Sequence, residues 1–430
     1  MRILILGAYG LIGSVITARL LADGHEVIGA GRHVTDAARR QPAATWIRAD
    51  LSTFRAADWA GPLQGVDAII NAAGALQDGA GDSLAGVHLT GVLALTEAAR
   101  AAGIRRFVQI SAVGADPNSS LPFLRTKGEA EAALKAMDLD WVILRPAFVL
   151  AQQAFGGSAL LRGLAAFPGL IPAVHARSIV QVVSAEDVAE AVARAVSPDG
   201  PSRVSCDLAA AEETTLGEIL VALRGWMGLP RAPLVSLPGG IGHLGALAAD
   251  ALTLLGWRSP LRSTALSQLA SGVRGRANAC ADVFGFTPWS LSETLAARPA
   301  GVQDRRFARL YFAGPAALSI LALFWIVSGA VGFMRIDAAA GILTQAGLPE
   351  SLATGFVVAG GAADLLLGMA ALHRRTARWA MKGMIAVTAA YLAGATLWRP
   401  DLWADPLGVL VKTIPAALLA WITLALLDDR

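Results

Sequence analysis

Charge is scarce in this sequence. Asp, Glu, Lys and Arg make up only 16% of its 430 residues, and the net charge is +3. No Lys/Arg-rich run is interleaved with aromatics, so a nucleic-acid partner is not expected. Cysteine is nearly absent: Cys206 and Cys280 lie far apart with no CxxC, and neither a disulfide framework nor a zinc site is supported. The six histidines show no HxxxH or HExxH spacing, so no metal site is expected. No secretory signal is read at the start, because the first apolar stretch is short and runs straight into glycines; the N-terminus is expected to stay in the cytoplasm. What is plentiful is apolar. Hydrophobic residues reach 55%, which points to membrane spans, and the length predicts two or three domains.

The first half is organised around Gly7-Ala8-Tyr9-Gly10-Leu11-Ile12-Gly13. Arg2 to Leu6 before it has strand length, and Leu11 to Leu21 reads as a helix. A strand, a glycine turn and a helix N-terminus make a pyrophosphate site: one glycine for the turn, one for close approach of the backbone, one for helix–strand packing. The helix dipole and its free N–H groups supply the positive end. Gly7, Tyr9, Gly10, Leu11, Ile12 and Gly13 are therefore candidate cofactor contacts. Further strands are expected at Glu26–Ala30, Thr45–Arg48, Val66–Asn71, Arg106–Ser111 and Trp141–Leu144. Helices are expected at Leu84–Ala102 and Leu121–Met137. This alternation predicts an α/β Rossmann-type doubly wound parallel sheet.

The end of the second strand selects the cofactor. An NAD site wants an acid there; Ala30-Gly31-Arg32-His33 has none, and Arg32 offers a fork suited to a phosphate. NADP (NADPH) is the expected cofactor. Asp50 is placed either to bond the adenine amino group, with Leu51 packing on the ring, or to cap a neighbouring turn. The small residues of Asn71-Ala72-Ala73-Gly74 would let the cofactor lie flat on the backbone.

Gly7-x-x-Gly10-x-x-Gly13, Asn71-Ala72-Ala73-Gly74, Ile110-Ser111-Ala112-Val113-Gly114 and Leu144-Arg145-Pro146 together resemble the atypical short-chain dehydrogenase/reductases. Within them the chain most resembles the NmrA-like proteins and the NADPH-binding accessory subunit of respiratory complex I. Phe286-Thr287-Pro288-Trp289-Ser290-Leu291 resembles the end of that domain. The resemblance implies Ser111 and Lys127 as catalytic-site residues, and Ala72, Ala73, Gly74, Ser111, Lys127 and Pro146 beside the cofactor. Active members carry a tyrosine four residues before the lysine as general acid/base; here the position is Phe123, which has no ionisable proton. Ordinary carbonyl reduction is therefore not expected. Tyr9 is a poorly placed substitute donor. His88, where this family often has asparagine, is expected on a helix surface; the alternative is a bond to the backbone between strands. Pro238 to Leu255 is unusually apolar, and reads either as a buried core helix or as a segment lining a lipophilic pocket or lying against a bilayer.

Leu310 to Met334 carries no charged residue, and Ser351–Leu372, Thr376–Trp398 and Pro406–Leu427 are further candidate spans. An all-α four-helix transmembrane bundle is expected, resembling the DoxX-like membrane family in span count and position. Arg298, Arg305, Arg306 and Arg309 precede the first span, and Arg374, Arg375 and Arg378 lie between the second and third. By the positive-inside rule the nucleotide domain and the C-terminus face the cytoplasm of a bacterial inner membrane. Asp364 and Lys382 are placed to pair or to snorkel separately, and Lys412 is expected inside the fourth span. The expected division is 1–297 (core 1–150, substrate side 151–297), a linker 298–309, and 310–430. The implied function is NADPH-dependent reduction of a lipophilic acceptor such as a quinone or isoprenoid-like compound. The rival is a non-catalytic sensor or accessory factor of a membrane redox complex.

Overall fold

The structure is a computed structural model; it describes residues 1–79, 83–257, 259–406 and 408–428. Two compact units are present, Met1–Asp250 with Ser259–Ala308, and Ala251–Arg258 with Arg309–Arg430. The short stretch 251–257, inside the first domain by sequence, thus packs with the second unit.

The first unit is built on a seven-stranded parallel sheet. In chain order come β1 (Arg2–Leu6), α1 (Leu11–Ala22), β2 (Glu26–Gly31), α2 (Val34–Arg40), β3 (Thr45–Arg48), β4 (Ala68–Asn71), α3 (Gly91–Ala101), β5 (Arg106–Ile110), α4 (Pro122–Lys135) and β6 (Asp140–Pro146). Strand Val204–Leu208 is added beyond β6, so the sheet runs Val204–Leu208, β6, β5, β4, β1, β2, β3. The order reverses between β1 and β4, and a ligand crevice opens at that point beyond the carboxyl ends of the strands. Side chains alternate along β1: Ile3 and Ile5 join one buried cluster with Ile16 and Leu20 of α1, while Leu4 and Leu6 join another with Leu95 of α3 and Leu134 of α4. Both faces are covered, which is why these strands are continuous apolar runs. Each fully buried Leu or Ile contributes about 1.5–3 kcal/mol. The seventh strand and α2 are not marked by the sequence pattern. Val204–Leu208 alternates with polar Ser205 and Asp207, and α2 is only seven residues long.

The second unit is helical. Among the described residues, three helices are long and apolar enough to cross a membrane: Val302–Met334, Glu350–Leu372 and Ala377–Trp398. The fourth expected span differs in extent. Helix begins only at Thr413 and runs to Asp428, 16 residues or about 24 Å of rise, against about 20 residues for a full span. Leu407 of the expected Pro406–Leu427 span lies outside the described residues. Lys412 consequently precedes this helix instead of sitting within it. An additional helix, Ile336–Gln345, separates the first two long ones. Glycines set their approach: a Cβ at Gly329 would stand 2.6 Å from the Gly361 carbonyl oxygen, and one at Gly368 2.7 Å from Ile326.

The expected Asp364–Lys382 pair is not formed. Asp364 accepts hydrogen bonds from the Ser328 hydroxyl (2.8 Å) and the Tyr391 hydroxyl (3.1 Å). Lys382 is exposed and lies over the Trp379 ring at 4.8 Å. The carboxylate faces the helix interior, whereas the ammonium sits on the outer face, so the two cannot meet.

Candidate functional site

The glycine turn is shaped by backbone crowding. Gly7 adopts φ +69°, and a Cβ there would stand 2.9 Å from the Ala72 carbonyl group and from Ala73 Cα. A Cβ at Gly13 would stand 2.1 Å from the Gly7 carbonyl oxygen. Only glycine allows the turn after β1 to lie this close to both α1 and the end of β4. The first intrahelical bond of α1 is from Ser14 N–H to the Gly10 carbonyl (2.9 Å). The N–H groups of Leu11, Ile12 and Gly13 therefore precede the helical ladder. No side chain caps them, and the first turn holds no acid. That leaves an anion cradle formed by backbone alone.

Tyr9 leans the other way. Its ring crowds Gly31, where a Cβ would stand 2.3 Å from Tyr9 Cε1, and its hydroxyl accepts weakly from His33 N–H (3.4 Å). It belongs to the β2 corner with Arg32, which follows β2 directly and is half-buried. Asp50 turns its Oδ1 onto its own loop, accepting from Ser52 N–H (3.0 Å) and Ser52 Oγ–H (2.7 Å). Leu51 is buried with the core cluster of that face, against Gly91. Asp50 thus caps the loop after β3, and Leu51 packs inward.

A second group of residues meets at the ends of β4 and β5. Asn71 is fully buried; its Nδ2 donates to Gln109 (3.0 Å) and its Oδ1 accepts from Ala73 N–H (3.1 Å), holding Ala72 and Ala73 in place. A Cβ at Gly74 would stand 3.6 Å from His88 Nε2 and 3.9 Å from Lys127 Nζ. Lys127, on α4, is 7% exposed and donates to the Ile110 carbonyl at 3.1 Å. Burial pushes its ammonium down to about 8, against a partial upward pull from Glu131. Phe123, one turn earlier on α4, presents its ring 5.5 Å from Lys127 Nζ. Pro146 ends β6, and its carbonyl accepts from Val113 N–H at 3.1 Å.

His88 is not on a helix surface. It is buried, its Nε2 accepts from Ala75 N–H (3.1 Å), its Nδ1 lies 2.9 Å from Thr126 Oγ1, and its ring meets Phe123 edge-on at 5.6 Å. Burial first, and then the Lys127 charge, drive its pKa down to about 2, so it is a neutral acceptor at any working pH. The π-helical turn Gly86–Thr90 ahead of α3 aims the ring inward.

Glu131, buried one turn beyond Lys127, was not singled out by sequence. It accepts the Ser111 hydroxyl at 2.6 Å and pairs with the Arg145 guanidinium. An ionised carboxylate only accepts, so Ser111 must donate to it. The serine proton is therefore committed away from any substrate carbonyl. The available signal was spacing: Glu131 lies at i+4 from Lys127, on the same helix face, and Arg145 directly follows the apolar run Trp141–Leu144. With Phe123 lacking a proton and Ser111 donating to Glu131, Lys127 is the ammonium donor left among these residues.

Known proteins match these features. A model described as NAD(P)H-binding matches residues 7–199, and one described as the DoxX-like family matches 322–421. "Protein fmp52, mitochondrial" of Aspergillus niger is 32% identical over 188 residues, 40% of this chain and 77% of the relative. An uncharacterized protein of Mycobacterium tuberculosis is 30% identical over 236 residues; the match spans 55% of this chain but only 24% of that relative's length. Among solved structures, an NADPH-dependent quinone oxidoreductase of Escherichia coli has TM-score 0.53 at 19% identity, covering 69% of this chain and 98% of that one. A UDP-glucose 4-epimerase of Thermotoga maritima has TM-score 0.53 at 17% identity, covering 69% and 96%. At such identities these two show the fold alone. The chain belongs to the family of fmp52; it carries an NAD(P)H-binding domain, and a DoxX-like domain follows it.

Proposed function

We propose that this protein is a membrane-anchored, NADPH-binding oxidoreductase that passes reducing equivalents to a lipophilic acceptor of the quinone or isoprenoid class. The observation that carries the reading is the pairing of an uncapped, acid-free phosphate cradle with a site in which Phe123 stands where a proton-donating tyrosine is usual. A bound reduced nicotinamide would supply hydride. Gly7 to Gly13 would hold its pyrophosphate, Ala72 to Gly74 its backbone-facing side, and Lys127 its sugar or the acceptor oxygen. Arg32, with no acid at the end of β2, favours the phosphorylated nucleotide. An acceptor whose reduced form stabilises its own negative oxygen tolerates the missing tyrosine, and Lys127, with its lowered pKa, can return the single proton that completes a two-electron quinone reduction. The apolar helices supply residence in the bilayer, where such acceptors dissolve. The arginine distribution favours a nucleotide domain on the cytoplasmic face of a bacterial inner membrane.

The test is loss of reduced-nicotinamide absorbance when purified full-length protein meets NADPH or NADH and a panel of quinones. Oxidation of NADPH with at least one quinone, faster than NADH and with that preference reduced in Arg32→Ala, is expected. Tight NADPH binding with no oxidation would instead favour a non-catalytic sensor or accessory factor of a membrane redox complex. The commitment of the Ser111 proton to Glu131 is the observation on that side.

A further inference from the structure

The helix Gly239–Leu252 has its bulk on the wrong side for a soluble protein. Its small residues Gly242, Ala246 and Ala249 are buried, and a Cβ at Gly242 would stand 2.8 Å from the Val174 side chain. Its large apolar residues Ile241, Leu244, Leu247 and Leu252 are exposed, Leu244 by 68%, and Leu254 just beyond the helix by 86%. Amphipathic helices of soluble domains turn their large apolar side chains inward. A contiguous exposed set such as this marks a surface that something apolar covers.

The residues that follow the helix indicate what covers it. Arg374 N–H donates to the Leu255 carbonyl (2.9 Å), Trp257 Nε1 donates to the Leu372 carbonyl (2.7 Å), and the Arg374 guanidinium stacks over the Trp257 ring at 5.5 Å. Leu372 ends the long apolar helix Glu350–Leu372; Arg374 and Arg375 lie in the turn that follows, and Arg378 in the first turn of the next helix, Ala377–Trp398. Tryptophan and arginine gathered at the end of such a helix mark the lipid–water boundary. Leu255 is three residues past Leu252, so the chain leaves the exposed leucines directly into that boundary. The one acid on the helix, Asp250, is bonded by Arg262 at 3.1 Å and does not oppose approach to lipid.

We propose that Gly239–Leu254 is an interfacial membrane element. Ile241, Leu244, Leu247, Leu252 and Leu254 insert into the acyl layer at the lipid–water boundary. The proposal does not depend on turnover.

Site-directed spin labelling of the full-length protein in phosphatidylethanolamine–phosphatidylglycerol vesicles tests it. Single cysteines replace Ile241, Leu244, Leu247 or Leu252 in turn; Cys206 and Cys280 are buried and shielded from label. Leu323→Cys, exposed on the first long apolar helix, reports whether the chain has inserted, and Val221→Cys, exposed on helix Leu216–Trp226, serves as the aqueous reference. The expected result is oxygen-rich, nickel-poor collision at the helix positions, as at 323 and unlike 221. Water-like collision at all helix positions with a lipid-like 323 would overturn it. So would dipolar broadening at 244 that vanishes on dilution with unlabelled protein, because the face would then be a contact between two copies. Four positions are used so that failure of one variant to fold leaves the others to decide.

Discussion

Replacing Lys127 by methionine should make the protein more stable at neutral pH while it loses nucleotide binding. The ammonium is buried, and burial pulls its pKa from 10.5 to about 8. At about 1.36 kcal/mol per pKa unit, holding the charge inside the fold costs roughly 3 kcal/mol below pH 8. Methionine has similar length and no charge, and it forfeits the bond to the Ile110 carbonyl, worth about 1 kcal/mol. The net gain is then roughly 2 kcal/mol, or about 4 °C in the unfolding midpoint at this domain size. The sign follows from linkage. Between pH 8 and 10.5 the unfolded chain binds a proton at this position and the folded chain does not, so the wild type gains stability as pH rises through that window. The advantage of Lys127→Met should therefore be full at pH 7, shrink through that window, and be replaced by a small deficit above pH 10.5, where only the lost hydrogen bond remains. Thermal unfolding of the detergent-solubilised full chain at pH 7 and near pH 10 reads both values, and NADPH titration reads the functional loss. A variant less stable than wild type at pH 7, or a difference that does not move with pH, would refute the reasoning.

Gly13→Ala should weaken NADPH binding by more than about tenfold, since the added methyl would collide with the Gly7 carbonyl oxygen at 2.1 Å; isothermal titration checks it, and unchanged affinity would remove the turn from the site. Phe123→Tyr, placed beside Lys127, should add reduction of a small aldehyde or ketone that the wild type lacks, and no gain with NADPH still bound would show that the phenol is not the missing group. Asp364→Ala should cost about 1–2 kcal/mol by leaving the Ser328 and Tyr391 hydroxyls without their acceptor, while Lys382→Ala should stay within about 0.5 kcal/mol. Unfolding of the helical unit in detergent separates them, and equal costs would restore a pair.

The strands and the glycine turn were legible in sequence because their determinants are local. A continuous apolar run such as Arg2–Leu6, followed by glycines and a helical pattern, admits few other conformations, and β1 and β3 lie where the pattern places them. The long apolar helices were legible for the same reason, since composition over about 20 residues sets them. The site's chemistry was less so. Ser111, Phe123 and Lys127 could be named from motif spacing, but where Ser111 sends its proton depends on Glu131 and Arg145, which lie on α4 and β6 and meet it only through the fold. His88 read as a surface residue because its helical neighbours are ordinary; a π-helical turn, invisible to a period of 3.6, aims it inward.

Sequence alone therefore determined a nucleotide-binding sheet joined to membrane-type helices, because hydrophobic periodicity and backbone sterics act within a few residues. Only the tertiary structure decided which polar groups are spent on one another. Asp50 bonds its own loop, Asp364 takes two hydroxyls instead of Lys382, and the bulky face of Gly239–Leu252 is left bare. Hydrogen-bond partners and exposure are settled by distances between segments far apart in the chain, and no local pattern encodes those distances.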